Sequence, residues 1–232
     1  MIEIIAFDAD DTLWHNETLY LHAQDRFKQL LSGYHKPEWI EQRLDETEIR
    51  NIRYYGYGIK SFALSMIETA IELTEGRIAG REIQEIVDVA KQMLTAEVDL
   101  FEQVEETLAH LSTKYELMLI TKGDSFEQAR KVTKSGLTRY FKYIEFVADK
   151  TQETYRGLLG KYKLDPTRFL MVGNSIKSDI LPVIEIGGQA VYIPYTQTWV
   201  HETVSDPGAR KSEYIELDYL GQLPAFLEGL NR

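Results

Sequence analysis

Four places in the chain set chemically capable side chains directly after short apolar runs. Asp8, Asp10, Asp11 and Thr12 follow IEIIAF at 2–7, and Thr121, Lys122 and Asp124 follow LMLI at 117–120. Asp149 and Lys150 follow YIEFVA at 143–148, and Asn174, Ser175, Ser178 and Asp179 follow FLMVG at 169–173. Carboxylates crowded into one cleft repel each other and are costly to leave charged and unpaired. A divalent cation removes that conflict. Oxygen donors without a His or Cys cluster point to Mg²⁺, which binds through a few carboxylates while keeping waters and a phosphate oxygen. Thr121, with Lys122 beside it, and Lys150 then supply a hydroxyl donor and positive charge for an anionic, phosphate-like group.

These residues act together only if the runs are neighbouring strands whose carboxyl ends share one edge of a sheet. The four runs, with AVYI at 190–193, have strand length and stop at polar residues, and helix-forming stretches separate them. SFEQARKVTKSGL reads as a helix ending at Gly136, and TQETYRGLLGKYKL as one broken by Asp165-Pro166. Repeated βαβ units predict an α/β fold, a Rossmann-like, doubly wound and mostly parallel sheet. Residues 17–96 differ, showing helical periodicity without strands, divided into about four helices by Gly33, Pro37, Gly56, Gly58, Gly76 and Gly80. The expected organisation is a catalytic core of residues 1–16 and 97–232 interrupted by an all-helical cap at 17–96.

With the motifs placed, DADDTLW at 8–14 resembles the DxDxT signature of the haloacid dehalogenase-like hydrolases. LITKGD at 119–124 looks like the family's second motif, Lys150 its third-motif lysine, and VGNSIKSDI at 172–180 its fourth, acidic motif. The resemblance implies a two-step phosphoryl transfer in which Asp8 attacks phosphorus and Asp10 protonates the leaving alcohol. Water then attacks the aspartyl phosphate with Asp10 as base. Alternate residues of an extended strand point the same way, which fits both carboxylates at one reaction centre. The resemblance also implies Asp8, Asp10, Asn174 and Asp179 as Mg²⁺ ligands and Thr121, Lys122 and Lys150 around the phosphate. Two positions depart from the family pattern. Asn174 stands where an acid is usual, leaving Asp179 as an alternative direct ligand, and Thr151 replaces a proline after Lys150, with Lys161 as the fallback lysine.

Asp10 favours phosphate chemistry over haloacid dehalogenation, because a departing halide needs no proton. A phosphomutase uses the same pair of acids, and a phospho-receiver module would leave the helical insert unexplained. A non-catalytic phospho-ligand binding protein is the reading in which Asn174 has ended turnover. The net charge of −11 and a pI near 5.0 argue against a nucleic-acid partner, whose affinity would come from clustered Lys and Arg. Without cysteine there is no disulfide, thiolate zinc site or cysteine nucleophile. No stretch reaches the ~20 apolar residues of a membrane span and the first ten residues lack a secretory pattern, so a cytoplasmic location and no membrane partner are expected. The expected partner is a small phosphorylated metabolite, and oligomeric state is left open. RNIRYYGYGIK at 50–60 reads either as a loop reaching the substrate or as a helix elbow with packed tyrosines. Trp14, His15 and Tyr20 read as pocket lining or hinge packing.

Overall fold

The computed structural model describes residues 2–197 and 210–230. Its sheet contains β1 (Ile4–Phe7), β2 (Glu116–Lys122), β3 (Tyr143–Val147), β4 (Phe169–Gly173), β5 (Gln189–Tyr192) and β6 (Ile215–Glu216). The spatial order is β3-β2-β1-β4-β5-β6, with every pair parallel. β1 and β4 are apolar throughout, and β2 is apolar from Leu117 to Ile120, because both of their faces are covered. Successive residues alternate between layers. Ile5, Phe7, Leu117, Leu119, Leu170 and Val172 pack on one face against α5 (Val104–Leu111), α6 (Ser125–Lys134) and α9 (Leu223–Leu230). Ile4, Ala6, Met118, Ile120, Phe169 and Met171 pack on the other against α7 (Gln152–Tyr162) and α8 (Leu181–Ile184).

β1 lies between β2 and β4, so the strand order runs outward from it to both sides, and the crevice outside its carboxyl end is the place where such sheets bind ligands. Asp8 begins at that point. The helices next to it start on caps encoded at their first residues. Asp124 accepts from the Glu127 amide at 3.0 Å to start α6, and Thr151 accepts from the Thr154 amide at 3.2 Å to start α7. After β4 the chain makes a π-helical turn, Ile176–Ile180, before α8.

The chain divides into two compact units, Met1–Glu17 with Val98–Arg232, and Thr18–Glu97. The second is built from α1 (Glu17–Leu30), α2 (Pro37–Tyr55), α3 (Ile59–Leu73) and α4 (Gly80–Thr95) around its own core of Phe27, Leu31, Ile40, Leu44, Phe62, Met66, Ile86 and Met93. Within it, the segment at 50–60 is an elbow between α2 and α3. Gly56 and Gly58 take positive φ there, and Tyr54 and Tyr55 are exposed rather than packed in that core.

The two connecting segments of the α/β unit run antiparallel beside each other. His15 N donates to Asp99 O at 2.9 Å, Phe101 N donates to Leu13 O at 3.1 Å, and Trp14 pairs with Leu100. Among the described residues no helix is long and apolar enough to cross a membrane.

Candidate active site

Beyond Phe7 the chain turns sharply. Asp8 N stays hydrogen-bonded to Val172 O at 2.9 Å, so Asp8 is still held by the sheet, and Asp11 adopts φ 60 while its amide donates to Trp14 O at 2.8 Å. Asp and Asn tolerate that left-handed conformation better than most residues. Asp11 itself is turned away from the reaction centre. Its carboxylate accepts from the amides of Asn16 and Glu17, at 2.9 and 3.0 Å, and so satisfies the start of α1.

Asp8 is buried, and each of its oxygens is held. Lys150 Nζ donates to Oδ1 and Thr12 Oγ1 to Oδ2 at 3.1 Å. Lys150, carried past the end of β3, also donates to Asp179 Oδ1 at 2.7 Å, so one buried ammonium bridges two buried acids. Burial pushes the Asp8 carboxyl up to about 7, with Lys150 opposing the rise and Asp179 and Asp10 adding to it. Burial alone would lower the Lys150 ammonium, but Asp179 and Asp8 outweigh it and hold the pKa above its ordinary value.

Asp179 turns both oxygens to protein donors, Oδ1 to Lys150 and Oδ2 to the Ser175 amide at 3.0 Å. It thereby orients the lysine. The π-helical turn is what sets it back against β4, and Gly173 leaves room for it, since a Cβ at that position would collide with the Asp179 carboxylate.

Asn174, at the end of β4, faces oxygens. Its side-chain NH₂, turned towards β1, has three acceptors for its two hydrogens, Asp8 Oδ2 at 3.2 Å, the Asp10 carbonyl oxygen at 3.3 Å and Thr12 Oγ1 at 3.2 Å. In the opposite orientation its oxygen meets the same groups and accepts only from Thr12. A carboxylate, a main-chain carbonyl and an amide thus converge at one spot where either an N–H donor or a hard cation reconciles them. This oxygen-rich set fits Mg²⁺. It is a mixed set, and no group of three or more His, Asp or Glu side chains placed to hold a metal occurs among the described residues.

Asp10 is the second acid. Trp14 Nε1 donates to its Oδ1 at 2.7 Å, Gln128 Nε2 to its Oδ2 at 2.8 Å, and Lys131 Nζ to both, at 2.7 and 2.6 Å. Burial would raise this carboxyl, but the Lys131 charge and the bonds from Lys131, Gln128 and Trp14 outweigh it and hold the carboxyl below its ordinary range. The same Nε2 lies 2.8 Å from Thr121 Oγ1 and 2.7 Å from Lys122 O, so its two hydrogens are shared among three acceptors that bring the end of β2 to Asp10.

Asp8, Asp10, Thr121, Lys150, Asn174 and Asp179 therefore lie in one connected network, while Lys122 directs its ammonium to Ser178 Oγ at 3.1 Å. Lys161 is on the surface, paired with Glu145 at 2.6 Å. The residues missed in the sequence are Gln128 and Lys131, three apart on one face of α6; Trp14 reads there as pocket lining or hinge packing, and what that reading lacks is its indole N–H bond to Asp10. The available signal for Gln128 and Lys131 was position alone, the first turns of the helix after the second motif.

The family model for haloacid dehalogenase-like hydrolases matches residues 2–187, and the chain belongs to that family. Among solved structures, a haloacid dehalogenase-like family hydrolase from Xanthomonas campestris shares 40% identity and a TM-score of 0.88, covering 99% of this chain and 91% of that one. A 2-haloacid dehalogenase from Pseudomonas syringae pv. tomato shares 22% identity and a TM-score of 0.63, over 99% and 100% of the two chains. A predicted phosphoglycolate phosphatase from Haemophilus somnus shares 18% and 0.65, over 97% and 98%. The last two establish likeness of fold. No curated protein sequence matches the chain.

Proposed function

We propose that this hydrolase is a magnesium-dependent phosphatase that cleaves a small phosphate monoester through an aspartyl phosphate on Asp8. The observation that carries the reading is the second acid. Asp10 is positioned by three separate side chains, and an alcohol leaving group needs a proton where a halide does not. In the first half-reaction an Asp8 oxygen bonds to phosphorus, the ester P–O bond breaks, and the departing alkoxide takes a proton from Asp10. In the second, water gives a proton to Asp10, its oxygen bonds to phosphorus, and the Asp8–phosphorus bond breaks to release inorganic phosphate.

Charge supports the metal requirement. Asp8, Asp10 and Asp179 face Lys150 and Lys131, three carboxylates against two ammonium groups, so a phosphate dianion would enter a site already negative. Asp8, the Asp10 carbonyl and Asn174 are the residues that would hold Mg²⁺, which when bound supplies positive charge against the phosphoryl oxygens. Lys150 keeps the nucleophile aligned, and Thr121, held by Gln128 at the end of β2, offers a hydroxyl for the phosphate. A folded unit carried on the chain directly after these acids favours a small, diffusible ester over a macromolecule.

A second reading has one observation in its favour. With its NH₂ turned to Asp8, Asn174 helps to hold a carboxylate nucleophile without a metal, as haloacid displacement requires. The discriminating experiment incubates the protein with a panel of phosphate monoesters and Mg²⁺, and separately with 2-haloalkanoic acids, measuring phosphate and halide release. Phosphate release that is lost in Asp8→Asn, together with a phosphoryl or beryllofluoride adduct on Asp8, is expected. Halide release without phosphate release selects the second reading.

A further inference from the structure

The Asp10 carboxylate is crowded by donors. Two oxygens accept about four hydrogen bonds in all, and four contacts reach them, one from Trp14 Nε1, one from Gln128 Nε2, whose two hydrogens are shared with other acceptors, and two from Lys131 Nζ. A carboxyl that must carry a proton to an alkoxide has nowhere to hold it while all four stand. One donor has to leave. The Trp14 indole is 1% exposed in the core, and Gln128, 3% exposed, is tied at the same time to Thr121 and the Lys122 carbonyl. Lys131 is different. Its side chain is 16% exposed, its remaining contact is with the side chain of Asn16 at 3.1 Å, and a flexible four-carbon stem lets the ammonium turn without moving the helix.

We propose that Lys131 is a substrate-binding residue that exchanges partners. Without substrate it holds Asp10; when a phosphate ester arrives, the ammonium transfers to a phosphoryl oxygen and frees one lone pair on each oxygen of Asp10. No covalent bond changes and the ammonium keeps its three protons. The inference rests on the phosphatase reading above, and it makes α6 the element that senses an occupied site, with Gln128 as the fixed member of the pair and Lys131 as the mobile one.

Inorganic phosphate is the probe. Its dissociation constant, measured by calorimetry with Mg²⁺ present, is compared for wild type, Lys131→Gln and Lys131→Arg, alongside KM and kcat for p-nitrophenyl phosphate. A charge-assisted contact to phosphate is worth roughly tenfold to a hundredfold in affinity, so Lys131→Gln is expected to raise both the dissociation constant and KM by about that factor, and Lys131→Arg to restore most of it. A Lys131→Gln protein that melts like wild type, binds phosphate within about twofold of it and loses only kcat overturns the exchange. A crystal structure of the wild type with Mg²⁺ and tungstate gives an answer that needs no variant: Lys131 on the oxyanion supports the proposal, and Lys131 still on Asp10 overturns it. Wild-type protein that neither binds phosphate nor hydrolyses the ester overturns the phosphatase reading itself. That outcome is distinct from the others, in which binding and turnover persist.

Discussion

Replacing Lys150 by methionine removes the ammonium that bridges Asp8 and Asp179. The lysine side chain is 2% exposed, and its two partners are buried with it. Breaking a buried ion pair by deleting one member costs about 3–5 kcal/mol, because the partner stays buried without compensation. At about 2–4 °C per kcal/mol for a chain of this size, the melting temperature should fall by about 6–20 °C. The loss should depend on pH with a defined sign. The Asp8 carboxyl is already pushed up to about 7 in the metal-free protein, and deleting Lys150 removes the largest influence lowering it. A group whose folded pKa exceeds its unfolded value contributes stability below the unfolded pKa and loses it as pH rises through the folded one. The variant should therefore be weakest near pH 8 and recover towards pH 5. Thermal unfolding by circular dichroism, in chelator at a series of pH values, measures this. A deficit under about 1 kcal/mol, the size of an exposed ion pair, or one that is flat with pH, would refute the account of a buried bridge.

Asp10→Asn should slow turnover by about 10²–10⁴-fold, the usual worth of a general acid–base, while leaving phosphate binding measurable by calorimetry. Asn174→Asp should lower the magnesium concentration for half-maximal activity, and Asn174→Ala should raise it; superimposable titrations would place that side chain outside the metal site. Glu17, partly buried, is pushed up to about 8 by burial and by Asp11 and Asp10. Its folded pKa is above the unfolded one, so wild type loses stability as pH rises from about 4.5 through 8. Glu17→Gln should be indistinguishable from wild type near pH 4 and melt higher than it near pH 9.

The core strands are readable in sequence because a doubly covered strand must be apolar at every position, and its end must be polar where it meets the crevice. That rule gathers Asp8, Thr121, Lys150 and Asn174 before any coordinates exist. It says nothing of β6, two residues long with both exposed, since no periodicity is detectable over that length. It is also silent on Gln128 and Lys131, because polar residues on a helix read as a solvated face until the fold shows what that face meets. Asp179 illustrates a third limit. The sequence marks it as an acid near the metal motif, but only the π-helical turn determines that its oxygens meet Lys150 and Ser175 N.

The paired segments at Leu13–His15 and Asp99–Phe101 bear on how such a chain changes over evolutionary time. Everything between them is, for the sheet, a single excursion whose two ends are stitched together by main-chain hydrogen bonds. Closing a loop grows in cost only logarithmically with its length, about 0.6 kcal/mol for each doubling. The parallel register of β1 on β2, Ile4 opposite Glu116, is therefore nearly indifferent to what the excursion contains. An excursion with its own hydrophobic centre can be lengthened, shortened or exchanged wholesale while the acids at the strand ends stay where they are. Changes in the size and sequence of the excursion are thereby uncoupled from the positions of those acids.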